Sequence, residues 1–328
     1  MSTETLRALM ARKTDAGQAI AIETITEADL PAGDVTVDVE YSSFNYKDGL
    51  ALKGMSRILR ALPMVPGIDF AGTVRASDNP AFAPGDKVVL TGWGVGENWS
   101  GGFAERAKVK GEWLVKLPEG LTARQAMAIG TAGLTAMLCV DALERYGIAA
   151  GGDVLVTGAA GGVGSVAVRL LSRLGYKVSA LTGRPAEADF LKSLGATDIV
   201  DRATYAAAGK PLAGERWHGA VDTAGGTILA NVLAATRYNG AVAACGLAAA
   251  TDLPTTVFPF ILRNVALLGV DSVNCPTPRR LAAWTRLGKL LTEADFDLVT
   301  REVTLEDLPQ VAEDIIAGGV RGRTVVRI

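Results

Sequence analysis

Two patterns of apolar and polar positions divide the chain. Up to about residue 125, short segments alternate apolar and polar residues between turn residues, and DVTVDVEYSSFNY (34–46) is typical of a half-buried strand. From about residue 153, short β-branched runs such as VLVTG alternate with stretches such as SVAVRLLSRLG, whose apolar residues have helical spacing. The first pattern predicts a strand-rich domain, and the second predicts a doubly wound parallel sheet with helices on its faces.

The remaining segments complete the expected domain organisation. TARQAMAIGTAGLTAMLCVDALERYG (122–147) has helical spacing, with Thr122 placed to cap its first turn. After Pro276, the helical run PRRLAAWTRLGKLL leads to a terminal strand, helix and strand. We therefore expect an α/β protein with a β-rich domain from residues 1–125 and 276–328 and a nucleotide-binding domain from residues 126–275.

Composition places the chain among ordinary globular proteins. It has 328 residues, of which 49% are hydrophobic and 21% are charged, and its formal net charge is −2. Nucleic-acid phosphates bind clustered Lys and Arg, so this near-neutral chain is not expected to bind nucleic acid. The N-terminus mixes charges from its start, and we expect no signal peptide, no membrane-spanning segment and a cytoplasmic location.

The cysteines and the histidine have no metal-binding spacing. Cys139, Cys245 and Cys275 are far apart and none belongs to a C-x-x-C pair, so neither a structural zinc knuckle nor a disulfide framework is expected. Buried, unreactive thiols are the simplest interpretation. His218, in ERWHGAVD, has no acidic or cysteine partner at ligand spacing, which favours a structural or solvent-exposed role over catalysis.

A glycine-rich turn, VLVTGAAGGVG (154–164), joins a predicted strand to a predicted helix, which is the context of a dinucleotide-binding loop. Gly161 and Gly162 would let the backbone approach a pyrophosphate, and Gly164 would let the helix pack closely on the strand. The helix N-terminus would present free N–H groups to the phosphates. The candidate cofactor contacts are Ala160, Gly161, Gly162, Val163 and Gly164; a plain turn is the alternative.

The end of the next predicted strand favours NADP over NAD. NAD sites place an acidic residue there for the ribose 2′-hydroxyl, whereas this chain reads Thr182-Gly183-Arg184, with no carboxylate before Glu187. A hydroxyl, a glycine N–H and a guanidinium suit a 2′-phosphate. Arg202, after the third strand, is placed to close the same pocket, and a solvated surface role is the alternative for Arg184.

The order of a β-rich domain, a Rossmann unit and a C-terminal return resembles the medium-chain dehydrogenase/reductase superfamily over nearly the whole chain. The matching segments are PGIDFAG (66–72), GDKV (85–88), GGFAERAKV (101–109), IGTAGLTA (129–136) and TGAAGGVG (157–164). The resemblance implies a GroES-like catalytic domain and a Rossmann domain. Where zinc alcohol dehydrogenases of the superfamily carry catalytic metal ligands, this chain has Asn45, Ile68 and Thr131, and the Cys-rich lobe of their structural zinc is missing. A zinc-free member, with no metal, is therefore implied.

Longer segments look similar to the acryloyl-CoA reductase group of that superfamily, some of whose older names read quinone oxidoreductase. These segments are SSFNYKD, LTGWGVGENWSGG, GTAGLTAMLCVDALE, LPTTVFPFILRNV and LGVDSV. The resemblance implies NADPH-dependent reduction of the 2,3 double bond of acryloyl-CoA to propanoyl-CoA by hydride transfer without a metal. A quinone or general enone reductase of the same fold is one alternative, and a non-enzymatic NADPH-binding protein is another.

Reduction of a conjugated thioester needs hydrogen-bond donors for the carbonyl oxygen and a proton for the α-carbon. Asn45 and Lys47 are the candidate donors, expected on one face of a strand-like segment, and ordinary turn and surface positions are the alternative. Tyr46 matches a superfamily position that contacts cofactor phosphates, and it is a second candidate for the proton donor beside water. The resemblance implies further cofactor contacts at Leu247, Ile261, Ser272 and Arg323.

Two expectations concern partners. Lys53, Arg57 and Arg60 form a small basic group where a CoA phosphate could bind, and a solvated surface is the alternative. VALLGVDSV (265–273) is expected at an edge of the Rossmann sheet, where an exposed strand invites pairing with a second subunit. We therefore expect a homodimer that acts on a small-molecule acyl-CoA.

Overall fold

The computed structural model describes residues 4–15 and 17–328. These residues form two compact units. Unit 1 comprises the described residues up to Thr131 together with Ser272–Ile328, and unit 2 comprises Ala132–Asp271. The two divisions lie a few residues from the positions expected from the sequence, 125/126 and 275/276.

The described residues form strands and helices that are numbered in chain order. The strands are β1 (Thr5–Thr14), β2 (Gly17–Thr26), β3 (Val35–Phe44), β4 (Asp69–Ser77), β5 (Lys87–Thr91), β6 (Arg106–Val109), β7 (Val115–Lys116), β8 (Asp153–Thr157), β9 (Lys177–Thr182), β10 (Asp198–Asp201), β11 (Trp217–Asp222), β12 (Thr236–Ala244), β13 (Ala266–Gly269), β14 (Thr300–Thr304) and β15 (Arg323–Arg327). The helices are α1 (Tyr46–Leu52), α2 (Ala123–Tyr146), α3 (Gly162–Arg173), α4 (Ala188–Ser193), α5 (Ala203–Ala206), α6 (Gly226–Ala235), α7 (Phe258–Arg263), α8 (Thr277–Leu290), α9 (Glu293–Val299) and α10 (Leu308–Ile316).

Unit 1 is a mainly antiparallel β structure. Its large sheet has the order β14-β15-β3-β4-β5-β7, with β6 also paired to β3, and β1 and β2 form a separate hairpin. The last strand, β15, pairs antiparallel with β3, with Val325 opposite Ser43, so residues 323–327 are part of the large sheet of this unit. Apolar side chains that point inward at alternating strand positions form the core of this unit. Within that core, Phe44 stacks on Phe103 with ring centroids 5.9 Å apart.

The segment after β3 corrects one expectation. Residues 46–52 form the helix α1 rather than a continuing strand, and Asn45 is its N-cap. The Asp48 carboxylate accepts the Asn45 backbone N–H at 2.8 Å, which stabilises the first turn. Asn45 and Lys47 therefore do not share a strand face, because the cap and the acidic residue three positions later end the strand there.

Unit 2 is a parallel sheet with the order β10-β9-β8-β11-β12-β13. The strand order reverses between β8 and β11, and ligands of such sheets bind at the carboxyl ends of strands beside this reversal. The expected Rossmann-type fold is confirmed, and β13 lies at the sheet edge where VALLGVDSV was expected to lie.

Helix α2 is long and interrupted. Thr122 caps it, since its Oγ1 accepts the Gln125 N–H at 3.2 Å, but Gly130 breaks the helix with φ 51° and ψ −159°. By length and composition alone, α2 is apolar enough to cross a membrane, with a mean hydropathy of 1.6 over its most apolar window. Because 89% of that window is buried inside the protein, α2 has the character of a core helix.

Candidate active site

The glycine-rich turn of unit 2 joins β8 to α3, and Gly161 is the N-cap of that helix. A side chain at Gly164 would overlap the carbonyl oxygen of Gly158 and would lie 2.7 Å from the Ala159 Cα. At Gly161 an added Cβ would meet only the Gly158 oxygen, at 3.3 Å. Gly164 is therefore required for close packing of the helix on the turn, whereas Gly161 leaves open backbone next to the helix N-terminus.

Asp222, at the end of β11, ties this turn to the neighbouring strand. Its carboxylate accepts the Thr157 hydroxyl at 2.8 Å and the Gly225 backbone N–H at 2.8 Å. Thr223 follows and donates its N–H to Thr157 Oγ1 at 2.9 Å. Burial raises the pKa of Asp222 above its ordinary value, and these hydrogen bonds offset part of that rise. The contacts fix the ends of β8 and β11 beside the strand-order reversal.

Two arginines meet around Gly183 at the end of β9. The Arg184 side chain donates from Nη2 to the Ala160 carbonyl oxygen at 3.2 Å, so it lies against the glycine-rich turn. Arg202 donates its backbone N–H to the Thr182 carbonyl at 2.9 Å, and a Cβ at Gly183 would lie 2.6 Å from the Arg202 Nε and Cζ. The structure therefore brings Ala160, Thr182, Gly183, Arg184 and Arg202 together at one edge of the sheet.

This edge fits a phosphorylated dinucleotide. The open backbone before α3 suits a pyrophosphate, and the cradle over Gly183, which a larger residue would fill, presents two guanidinium groups. The Glu187 Oε1 lies 4.0 Å from Arg184 Nη1, and no acidic residue occupies residues 182–184. A 2′-phosphate would meet cations here, whereas a 2′-hydroxyl would lack the carboxylate that NAD sites supply.

A buried polar cluster in unit 1 surrounds Asn45. Its amide Nδ2 lies within hydrogen-bond distance of Asp69 Oδ2 at 3.1 Å and of Asp48 Oδ2 at 3.2 Å. Its Oδ1 accepts a hydrogen bond from Arg323 Nη1 at 3.1 Å. Because both ends of the amide are engaged and Asn45 is 8% exposed, its expected role as a donor to the substrate is not supported. The amide instead positions the start of α1.

Arg323 is the cation of this cluster. It is 2% exposed and donates to Ser43 Oγ at 2.8 Å and to the Ala128 carbonyl at 3.0 Å, besides Asn45. Arg323 was expected to reach the cofactor, but its side chain is enclosed within unit 1, so we assign it a positioning role. Burial lowers its pKa, and the carboxylates of Asp69 and Asp48 oppose that change.

The two carboxyl groups of the cluster are bound differently. Asp69 accepts the Ser43 hydroxyl at 2.8 Å and the Thr131 N–H at 2.8 Å. Asp48 accepts the Ile68 N–H at 3.0 Å as well as the contacts from Asn45. Burial, with a further contribution from the charge of Asp69, raises the pKa of Asp48 to about 7. Asp48 is therefore the carboxyl group of this cluster whose surroundings favour the protonated form.

The residues at the superfamily's metal positions do not suit zinc. Both ends of the Asn45 amide are hydrogen-bonded within the buried cluster. The Ile68 side chain has no atom that could bind a metal, and the Thr131 N–H donates a hydrogen bond to Asp69. Zinc in proteins takes Cys, His or carboxylate ligands, usually three or four together. Across residues 4–15 and 17–328, no three side chains of these types converge as a metal-binding group.

Tyr46 and Lys47, the first residues of α1, are the groups beside the cluster that reach the surface. Tyr46 is 39% exposed, and its hydroxyl has no hydrogen-bond partner among the residues that the structure describes. The Lys47 ammonium lies 2.9 Å from Glu97 Oε1 and is about one third exposed. Their expected contacts with the cofactor and the substrate remain predictions.

The other residues expected to contact the cofactor, Leu247, Ile261 and Ser272, lie on three different segments of the chain. Leu247 is 56% exposed in the segment after β12, and Ile261 is 69% exposed on α7. Ser272 is half-buried, and its carbonyl oxygen accepts a hydrogen bond from Arg280 at 3.1 Å. Nothing in their contacts singles out a cofactor role, which remains a prediction for each.

The cysteines and the histidine lie outside these clusters. Cys139 and Cys275 are buried free thiols, whereas Cys245 is half-buried because it follows the end of β12. The expectation of three buried thiols is therefore wrong for Cys245. His218 is the second residue of β11, and its Nδ1 accepts the Asp153 backbone N–H at 2.9 Å, which is a structural contact.

Several polar residues of these clusters were not identified from the sequence. They are Ser43, Asp48, Asp69 and Asp222. Asp69 and Asp222 each stand in or at the end of an apolar strand, DFAGTV and GAVD, where a buried charge needs partners. That signal was available, although the partners it required could be found only in three dimensions.

Comparisons with known proteins agree with this architecture. The alcohol dehydrogenase GroES-like domain matches residues 31–119, and the zinc-binding dehydrogenase family matches residues 162–287. The acrylyl-CoA reductase AcuI of Ruegeria pomeroyi is 54% identical over 94% of this chain and 94% of its own length. The "Probable acrylyl-CoA reductase AcuI" of Escherichia coli strain K12 is 53% identical over 98% of this chain and 100% of its own.

A solved structure extends the similarity to three dimensions. The crystal structure of the yhdH oxidoreductase from Salmonella enterica in complex with NADP superposes with a TM-score of 0.96. It is 56% identical, and the alignment covers 98% of this chain and 99% of that one.

Proposed function

The chain belongs to the acrylyl-CoA reductases of the medium-chain dehydrogenase/reductase superfamily, and we propose that it reduces the 2,3 double bond of acryloyl-CoA to propanoyl-CoA with NADPH. The observation that carries the proposal is the full-length similarity to acrylyl-CoA reductases, at more than half of all positions. The arginine pair around Gly183 supports NADPH as the reductant, because it offers cations where the 2′-phosphate would bind.

Unit 2 would hold the cofactor through its own residues. Gly161–Gly164 and the α3 N-terminus would bind the pyrophosphate, while Arg184 and Arg202 would bind the 2′-phosphate. When bound, NADPH supplies the hydride that reduces the β-carbon of the acryloyl group. Electron density then moves to the thioester oxygen of the substrate, and the α-carbon requires a proton.

Unit 1 would contribute the groups that stabilise charge on the thioester oxygen and supply the proton to the α-carbon. The hydrogen bonds of the buried cluster fix the first turn of α1, and they therefore restrict the positions of Tyr46 and Lys47. The Lys47 ammonium keeps further N–H donors beyond its contact with Glu97 and can stabilise negative charge on the thioester oxygen. The Tyr46 hydroxyl can contact the cofactor phosphates or donate a proton, and water is the other source of that proton.

A kinetic comparison tests the proposal. We expect the highest kcat/KM for acryloyl-CoA with NADPH, when acryloyl-CoA, a free enone and a quinone are each assayed with NADPH and NADH. A higher value for the quinone or the free enone would favour a general enone reductase of the same fold. Binding of NADPH without turnover of any of the three would favour a non-enzymatic role.

We also propose a cytoplasmic homodimer. The edge strand β13 has one unpaired side in the described part of unit 2, and its Leu267 is 36% exposed. Val257, Phe258 and Leu262 of the neighbouring segment are also exposed apolar residues, at 61%, 44% and 57%. An edge strand with adjoining apolar residues suits pairing with the same strand of a second copy.

A further inference from the structure

A segment of unit 1 carries positive charge without any acidic residue. Between Asp48 and Asp69 the sequence contains Lys53, Arg57 and Arg60 and no Asp or Glu. The three cations lie in the loop that follows α1, residues 53–64, which we call the basic loop. The whole chain has a formal charge of −2, so the positive charge of the basic loop differs in sign from the net charge of the protein.

Several arginines of unit 1 have a carboxylate partner: Arg7, Arg12, Arg75, Arg106 and Arg124. In the basic loop, Lys53 is likewise paired, with its ammonium 2.6 Å from Glu313 Oε1. Arg57 and Arg60 are exposed and have no carboxylate partner within residues 4–15 and 17–328. They are therefore available to an anionic ligand.

The backbone of the basic loop adds donors beside these side chains. Ser56 and Arg57 are consecutive non-glycine residues in the left-handed region, with φ 57° and 48°. Such a conformation is unfavourable for side-chain-bearing residues, so the loop makes a defined turn at these two positions. In the described chain, the N–H groups of residues 56–59 donate to no backbone carbonyl.

The loop is also fixed relative to α1. The Arg60 N–H donates to the Glu97 carbonyl at 2.8 Å, and the Glu97 carboxylate pairs with Lys47 at 2.9 Å. Glu97 thus links Arg60 to Lys47, the candidate hydrogen-bond donor to the substrate. With this link, Arg60 could bind one end of an extended substrate while Lys47 contacts the reacting end.

We propose that Arg57, Arg60 and the N–H groups of residues 56–59 bind the 3′-phospho-ADP end of coenzyme A. The inference rests on the proposed function and adds the residues that distinguish a CoA thioester from a smaller thioester or a free enone. The negative charge of the 3′-phosphate and the pyrophosphate matches the two unpaired guanidinium groups. Binding energy from this non-reacting end would hold the acryloyl group for reduction.

The test compares Arg57→Ala, Arg60→Ala and the double variant with the wild type. Each single change should raise KM for acryloyl-CoA about three- to tenfold, and the double variant about 10- to 100-fold, with less effect as salt is raised. KM for the acryloyl thioester of N-acetylcysteamine, which lacks the nucleotide, and KM for NADPH should change less than about twofold. Lys53→Ala is the matched control, since it removes a charge of the same loop that is already paired.

Calorimetric titration with free CoA makes the test independent of turnover. The double variant should bind CoA at least about tenfold more weakly than the wild type and the Lys53→Ala control. Equal losses for CoA and for the truncated thioester, a loss confined to NADPH, or an equal loss in Lys53→Ala would each overturn the proposal. If the wild type reduced neither thioester, the proposed function would fail, while the CoA titration would still decide whether the basic loop binds the nucleotide.

Discussion

Arg323 donates a hydrogen bond from Nη1 to Oδ1 of Asn45 at 3.1 Å, although 278 positions separate the two residues in the sequence. The contact joins β15, the last strand, to the N-cap of α1. It places one buried cation against Asn45 and Ser43, and the carboxyl groups of Asp69 and Asp48 lie close enough to interact with that cation electrostatically. The first turn of α1, with Tyr46 and Lys47, therefore depends on a residue close to the C-terminus.

Arg323→Met should destabilise unit 1 strongly. It would leave the carboxyl groups of Asp48 and Asp69 without their buried cation, and loss of one partner from such a group costs about 3–5 kcal/mol. Chemical denaturation should show this loss. The matched control is Arg327→Met, an exposed arginine of the same strand, which should change the free energy of unfolding by less than about 1 kcal/mol. Similar losses for both variants would argue against a special role of Arg323.

Stability should fall as the pH rises from about 4 towards 7. The pKa of Asp48 is raised to about 7, whereas an unfolded aspartate titrates near 3.9, so between these values only the folded state holds the proton. Asp48 alone would lower the free energy of unfolding by up to about 4 kcal/mol across this window, and Asp222 acts with the same sign. Above pH 7 the contribution of Asp48 levels off.

Thermal unfolding at a series of pH values checks this expectation. Asp48→Asn cannot titrate and should flatten much of the slope. The variant should also unfold more easily at every pH, because its NH2 group would face the N–H donors of Asn45 or Ile68. A slope that is unchanged in Asp48→Asn would assign the pH dependence to other groups.

Gly164→Ala and Gly161→Ala should separate folding from cofactor binding. At Gly164 the added methyl would overlap the Gly158 carbonyl, so we expect a loss of about 1–3 kcal/mol in stability together with weaker NADPH binding. At Gly161 the methyl would meet only the Gly158 oxygen, at 3.3 Å, so the loss of stability should be smaller than at Gly164 while NADPH binding falls. Differential scanning calorimetry and fluorescence titration give the two readouts. Unchanged NADPH affinity in Gly161→Ala would show that the pyrophosphate does not approach this backbone.

Arg184→Ala should discriminate between the two nicotinamide cofactors. A charge-assisted hydrogen bond to phosphate contributes about 1.5–3 kcal/mol, so NADPH should bind about 10- to 100-fold more weakly. NADH, which has a hydroxyl at that place, should be nearly unaffected, and added salt should reduce the loss for NADPH. Equal losses for both cofactors would mean that Arg184 mainly supports the glycine-rich turn through Ala160. Unchanged NADPH affinity would transfer the role to Arg202.

Leu267→Lys should weaken the proposed dimer. A charge on the edge strand β13 opposes pairing with the same strand of a second copy, and we expect the dissociation constant to rise at least about tenfold. Light scattering over a concentration series measures this change. Leu281→Lys, which alters a similarly exposed leucine on α8, should leave the assembly unchanged. A wild-type protein that is monomeric at micromolar concentration would contradict the dimer itself.

The sequence predicted the architecture better than it predicted the unit 1 site. Alternation and helical spacing report burial on one face of an element, so β3, β8 and the α3 helix could be located from the chain alone. Asn45 was expected to face the substrate because it occupies the position of a catalytic metal ligand in the zinc alcohol dehydrogenases of the superfamily. Its actual role depends on Asp48 three residues away and on Arg323 at the other end of the chain, and apolar spacing carries no information about such a pairing.

The pairing of β15 with β3 has a consequence for biosynthesis. Unit 2 consists of one continuous segment, Ala132–Asp271, so it can begin to fold as soon as that segment leaves the ribosome. Strand β3 and the N-cap at Asn45 emerge earlier, but they cannot acquire β15 or the Arg323 guanidinium until the chain has been synthesised past residue 323. At about 5–20 residues per second, this delay is on the order of ten seconds to a minute. During that time the part of β3 that pairs with β15, residues 41–44, has an unpaired edge, and a nascent chain in this state is exposed to non-native strand pairing and to chaperones.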